Sequence, residues 1–215
     1  MKLPKFGRDK WKPFKGILIP VFCTLLVIFF LKTAVLEFHY IPSDSMSPTL
    51  KKGDFVLTSR VAYYIGMPGL FRLWYNEPRR NDIIAYMLPD EKKYAVKRII
   101  GVPGDTIFFS KSGLYLNKKY YPGISPFFSD YHRMNSFLAI PGKGLKHKKN
   151  KELSAFNNSN NESMYFVLGD NTANSYDSRY RGLIPSNAII GRPLFIYWSL
   201  NNNGINWERT GNYLK

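Results

Sequence analysis

Apolar positions change their spacing once along this chain. From Gly16 to Leu31 the run GILIPVFCTLLVIFFL carries no charged residue, and after Lys32 the apolar trend continues through TAVLEFHY. This predicts a helix. Sixteen residues rising 1.5 Å each cover about 24 Å, slightly short of the roughly 30 Å hydrocarbon core of a bilayer. The Lys32 ammonium can reach the headgroups while its stem stays in lipid, which extends the expected membrane span over 16–36. Pro20 falls near its start, where a proline disturbs a helix least.

Beyond the span the bursts are short and end in Gly, Pro, Asn or Asp. DFVLTS, NDIIAYML, YAVKRIIGV, DTIFFS, GLYLN, SMYFVLGD and IIGRPLFIYWS read as strands. Arg80-Asn81-Asp82 reads as a turn feeding a strand, with Asn81 tolerant of left-handed geometry. LFIYWSL is apolar but short enough for a strand rather than a second span. Between 111 and 163 the pattern loosens into an exposed, variable insertion. A mainly β domain over 37–215, behind a basic segment over 1–15 and an anchor over 16–36, is the expected organisation. The 15 Tyr and 16 Phe suit strands.

A net charge of +16 raises the possibility of nucleic acid as a partner. Its distribution argues otherwise. One block (Lys2, Lys5, Arg8, Lys10, Lys12, Lys15) precedes the apolar run, another lies in GKGLKHKKNK, and no nucleic-acid motif accompanies them. A topology signal plus a solvated loop accounts for both, and nucleic acid is not expected as a partner. The basic flank stays in the cytoplasm, so everything after Glu37 is expected across the membrane. A cleaved leader is the rival, but TAVLEF is a poor cleavage site. Cys23, the only cysteine, falls inside the apolar run and reads as a small apolar filler.

Candidate chemistry starts from IPSDSMSPTL, Ile41 to Leu50, with three serines and two prolines directly after the anchor. Pro42 and Pro48 restrict the backbone, so such a loop costs less entropy to hold rigid. His39 borders the membrane, and His132 and His147 sit in the loose insertion. Neither a Cys/His metal cluster nor a glycine-rich phosphate loop is present, so no metal or cofactor is expected. If the serine loop supplies a nucleophile, its base is then lysine, because an ammonium buried away from water loses its proton readily. Lys97 interrupts an apolar strand in YAVKRIIGV, and Arg98 points to the opposite face. An edge-strand lysine facing solvent is the alternative.

Taken in order, PSDSMSPTL, KGDFVLTSR, PRRNDIIAY running into YAVKRIIGVPGD, and GDNTANSYDSRYRGLIP continuing to IIGRP resemble the bacterial type I signal peptidases. These are membrane-bound serine–lysine proteases that remove signal peptides from exported proteins. The resemblance implies an all-β signal-peptidase/LexA-like catalytic domain with an inserted β subdomain, anchored by one helix in the bacterial inner membrane. By position Ser45 matches the nucleophile and Lys97 the general base. Ser43 matches the hydroxyl that joins the Ser45 N–H in the oxyanion hole, and Ser175 the hydroxyl that positions the base. Asp170, Asp177, Arg179 and Arg98 match supporting charges, with Asp170–Arg98 and Asp177–Arg179 as the expected pairs. Met46 matches the methionine after the nucleophile.

The implied partners are secretory preproteins, cut after Ala-x-Ala sites, and membrane lipid. Thr172 and Ala173 depart from the family's Arg-Asp, and Asn81 from its glycine. The first departure leaves open a specialised relative that processes pilin or conjugation proteins. An inactive anchored peptide-binding module is a further alternative. A self-cleaving repressor would carry a DNA-binding helix pair in place of the anchor.

Overall fold

The computed structural model describes residues 12–67, 71–74, 76–88, 93–110, 112–123, 137–141 and 162–214. Its first element is helix α1 (Lys12–Ala34), which starts upstream of the expected position and so places Pro20 in its interior. The Thr24 hydroxyl donates to the Pro20 carbonyl at 2.8 Å. Apolar side chains of α1 such as Ile17, Phe22, Leu25 and Phe29 are exposed. Among the described residues no helix is long and apolar enough to cross a membrane. Leu36, which the sequence places at the end of the span, is the first residue of a strand, β1 (Leu36–Tyr40).

The rest is mainly β. After β1 come β2 (Asp54–Ser59), the hairpin of β3 (Tyr64–Met67) and β4 (Phe71–Trp74), β5 (Ile83–Met87) and β6 (Tyr94–Gly101). Then follow β7 (Thr106–Ser110), β8 (Gly113–Leu116), β9 (Lys119–Tyr121), β10 (Phe137–Ala139) and β11 (Met164–Leu168). One helical turn, α2 (Ser178–Arg181), precedes β12 (Ile184–Pro185), the long β13 (Ile189–Asn201) and β14 (Gly204–Ile205). The main sheet runs β1-β2-β13-β5-β6-β11-β12 with β14 beside β13, and every pairing is antiparallel. Register shifts within β13, at Pro193/Phe195, Ile196/Trp198 and Ile189/Gly191, curl the sheet, because each bulge bends the strand that carries it.

The curl gives β6 apolar neighbours on both faces. Val96 packs with Ile41, Met46, Leu50, Val56 and Ile83 in one cluster. Ile99 packs with Tyr86 and Val167 in a second, and Ile100 with Ile107, Phe109 and Phe166 in a third. That third cluster joins the main sheet to a second one, ordered β10-β7-β8-β9. It begins at Thr106, ahead of the expected boundary at 111. Residues 124–136 and 142–161 of the expected insertion, with His132 and His147, lie outside the described residues.

Asn81 has φ 71°, the left-handed geometry expected of it at this turn. Its N–H donates to the Ile99 carbonyl at 2.8 Å, so this turn ties the entry of β5 to β6.

Candidate active site

Residues 41–53 leave the sheet at β1 and return to it at β2, and two backbone bonds close the base. Ile41 N–H donates to the Asp54 carbonyl at 2.9 Å, and Gly53 N–H to the Ile41 carbonyl at 3.0 Å. Ile41, Met46 and Leu50 turn inward and are 5%, 1% and 0% exposed. Burial of each contributes about 1.5–3 kcal/mol to docking the segment. Between these anchors Asp44 makes a polar turn, its carboxylate accepting from Lys52 N–H at 3.0 Å and its carbonyl from Ser47 N–H at 3.0 Å. Met46 is thus a peg, and the residue before it, Ser45, is held at the surface end of that peg.

Lys97 reaches Ser45 from β6, with Nζ 2.6 Å from Oγ. β6 is an interior strand and Lys97 is 5% exposed, so the solvent-facing edge lysine is ruled out. Burial pushes its pKa down to about 8, the nearby Asp177 and Asp170 carboxylates pull it up, and Arg179 and Arg181 push it down. At pH 7 roughly one amine in ten is then neutral, against fewer than about one in a thousand for a solvated lysine. The Ser43 hydroxyl donates to Ser45 Oγ at 3.3 Å and is exposed.

The third part is the loop from Gly169 to Arg179. Its approach to Ser45 is so close that a Cβ on Gly169 would overlap both the Ser45 carbonyl oxygen and the Ser175 hydroxyl. Asn171 completes the seam, donating from its N–H to the Ser45 carbonyl and from its side chain to the Asp44 carbonyl, both at 3.1 Å. Ser175 Oγ is buried with no hydrogen-bond partner among the described residues. Thr172 donates its hydroxyl to the Gly123 carbonyl at 3.2 Å, linking this loop to the second sheet.

Two ion pairs brace the loop. Arg98 grips Asp170 with Nε and Nη2, each at 2.8 Å, and donates from Nη1 to the Asn81 carbonyl at 2.8 Å. Asp170 also accepts from the Thr49 hydroxyl, so it ties the serine segment to the residue after Lys97. Asp177 and Arg179 are both fully buried and meet fork to fork at 2.9 and 3.0 Å. Asp177 caps α2 through Arg179 N–H and accepts from Gly169 N–H, which holds the glycine in place.

Ser43, Ser45, Met46, Lys97, Arg98, Asp170, Ser175, Asp177 and Arg179, the nine residues matched by position in the sequence, gather in this one region. Gly169, Asn171 and Thr49 belong to it as well and were not singled out. Gly169 and Asn171 flank Asp170 in the GDN motif, and that adjacency was the signal. Among the described residues no group of three or more His, Cys, Asp or Glu could hold a metal ion. The arrangement offers a hydroxyl, an amine able to take its proton, and a second hydroxyl beside them.

Residues 15–198 match the family described as signal peptidase, peptidase S26. Over 202 residues the chain is 30% identical to the signal peptidase I of Pseudomonas aeruginosa, covering 83% of this chain and 70% of that protein. It is 28% identical over 253 residues to the signal peptidase I of Buchnera aphidicola from Baizongia pistaciae, covering 89% and 81%. A probable signal peptidase I-2 of Synechocystis is 29% identical over 181 residues, covering 81% and 69%. The crystal structure of a signal peptidase I from Enterococcus faecalis superposes with a TM-score of 0.35 at 26% identity, covering 54% of this chain and 97% of that one.

Proposed function

The chain belongs to the signal peptidase family, peptidase S26, and is a serine endopeptidase; from that premise we propose that it removes signal peptides from secretory preproteins with Ser45 as nucleophile and Lys97 as base. The observation that carries this reading is the 2.6 Å approach of a buried amine to a serine hydroxyl. Ser45 Oγ gives its proton to neutral Lys97 Nζ and attacks the carbonyl carbon before the scissile bond. The carbonyl π electrons move to oxygen, and the oxyanion is held by the Ser45 N–H and the Ser43 hydroxyl. One such donor contributes about 3 kcal/mol.

When the intermediate collapses, the C–N bond breaks and the leaving nitrogen takes the proton from Lys97. Water then attacks the acyl-serine, Lys97 accepts its proton, and Ser45 recovers that proton as the ester bond breaks. A substrate laid over the site expels water, which lowers the Lys97 pKa further and raises the neutral fraction. Ser175 is the residue proposed to orient the amine; its buried hydroxyl makes no hydrogen bond among the described residues, to Lys97 included, and so is free to take up that bond when substrate is bound.

Small residues at the first and third positions before the cut are the proposed preference. The exposed apolar side chains between Ile17 and Phe29 favour the reading of a membrane anchor, and an anchored chain would hold its site near the bilayer surface, where a tethered signal segment presents its cut. With the basic flank cytoplasmic, the catalytic part lies on the far side of a bacterial inner membrane.

The test is mapping the cut in one preprotein carrying Ala-x-Ala. The expected result is a single new N-terminus after that site with wild type and none with Ser45→Ala. Cleavage elsewhere, or by Ser45→Ala, contradicts the reading.

A further inference from the structure

The segment carrying Ser45 is gripped from the far end of the chain. Asp54, the residue that ends this segment and opens β2, is 0% exposed and its carboxylate is saturated. It accepts from Lys51 N–H at 2.8 Å, from the Ser199 hydroxyl at 2.7 Å, and from Arg209 Nε and Nη2 at 3.1 and 2.6 Å. A carboxylate has about four acceptor sites, and four donors fill them. The same Arg209 Nη2 also donates to the Thr49 carbonyl at 3.0 Å. Thr49 is therefore held at both ends, its carbonyl by Arg209 and its hydroxyl by Asp170.

We propose that Arg209 is a positioning residue for catalysis: by bridging the Asp54 carboxylate and the Thr49 carbonyl, it fixes the segment that aims Ser45 at Lys97. The proposal rests on the reading of Ser45 as nucleophile.

Two features separate positioning from simple cohesion. The C-terminal arm that carries Arg209 is docked on β13 without it. Ile196 N–H donates to the Asn212 carbonyl at 2.9 Å, Gly211 N–H to the Ile196 carbonyl at 2.7 Å, and Leu214 N–H to the Leu194 carbonyl at 2.8 Å. The serine segment likewise keeps its apolar pegs Ile41, Met46 and Leu50 and its closing bonds to Asp54 and Ile41 when Arg209 is removed. What is lost is the hold on the Thr49 and Pro48 carbonyls and two of the four donors to the Asp54 carboxylate, while the Thr49 hydroxyl stays on Asp170. Leu50, the neighbour of Thr49, donates through N–H to the Met46 carbonyl at 2.8 Å, so a shift at Thr49 passes directly to the residue beside Ser45. A guanidinium can serve carboxylate and carbonyl together because its donors are fixed in a plane, whereas an ammonium is a single point charge.

The experiment uses the full chain with Arg209→Lys and Arg209→Gln, a preprotein substrate, and rates normalised to the folded fraction by near-ultraviolet circular dichroism. A misplacement of about 1 Å costs on the order of a hundredfold in rate. The expected result for both variants is therefore a kcat about ten- to a hundredfold lower, with KM changed less than about threefold and the ionisation of Lys97 in the pH–rate profile unmoved. Arg209→Lys keeps a cation opposite Asp54 and is expected to lose less stability than Arg209→Gln, so it decides the matter alone if Arg209→Gln does not fold. A kcat per folded molecule within about twofold of wild type in Arg209→Lys overturns the proposal. Ser45→Ala in the same assay separates the two levels. Turnover by Ser45→Ala overturns the reading of the nucleophile itself. With Ser45→Ala inactive, unchanged kcat in Arg209→Lys overturns only the role of Arg209.

Discussion

The Lys97 amine lies 2.6 Å from the Ser45 hydroxyl oxygen, and the lysine is 5% exposed. Burial of that degree sets a base against its own solubility. Arginine at position 97 cannot release a proton at working pH, and methionine offers no nitrogen at all. Both Lys97→Arg and Lys97→Met are expected to lower kcat by about a hundred- to ten-thousandfold, checked by preprotein cleavage with folding verified separately.

The same burial costs stability. Lys97 binds its proton up to its ordinary 10.5 in the unfolded chain but releases it at about 8 in the fold. Between those values the unfolded state holds more protons, so stability rises with pH; the gain is complete above 10.5 and is lost as pH falls through about 8. At pH 7 the charged amine therefore weakens the fold by roughly 3 kcal/mol relative to a solvated one. Lys97→Met is expected to be more stable than wild type at pH 7 while inactive, with the difference shrinking toward high pH. Urea titrations of both proteins across the range check this.

Gly169 has no room for a side chain, because the Ser45 carbonyl is backbone and cannot rotate away. Gly169→Ala is expected to lose about 1–3 kcal/mol of stability through overpacking. A loss of kcat on the order of a hundredfold should accompany it as the serine segment and the Ser175 loop are pushed apart. Thermal melts and steady-state cleavage read the two effects.

Asp177 and Arg179 are fully buried against one another. Removing one partner strands the other charge, so Arg179→Met is expected to cost about 3–5 kcal/mol in a denaturant titration, with Asp177→Asn/Arg179→Met recovering part of it. The two single changes act oppositely on Lys97: loss of the Asp177 carboxylate lowers its pKa further, and loss of the Arg179 guanidinium raises it.

What was legible in the sequence was local. The bursts at 54–59, 94–101 and 106–110 became strands at those positions, because each is bounded by turn formers and carries β-branched or aromatic residues. The serine-rich turn and Lys97 stand out in the sequence because each breaks the pattern around it, but only the resemblance of the ordered blocks singles out Ser45 among the serines and pairs it with Lys97. From the sequence the membrane segment is expected to end at Leu36, with no strand assigned to 37–40, whereas Leu36 opens β1, because the apolar trend of TAVLEFHY continues from the helix into the strand. The arrangement of β13 between β2 and β5, and the grip of Arg209 on Thr49 and Asp54, depend on pairings across the whole chain that no local spacing records. Thr172, a departure from the family pattern, found its partner in Gly123 of the second sheet for the same reason.

The pH dependence of kcat/KM tests the central claim most directly, because it reports the ionisation of the free enzyme's base. The expected profile rises about tenfold per pH unit and levels above the Lys97 pKa of about 8. A profile that stays flat from roughly pH 6 to 9 would contradict a buried amine at position 97 as the base for Ser45.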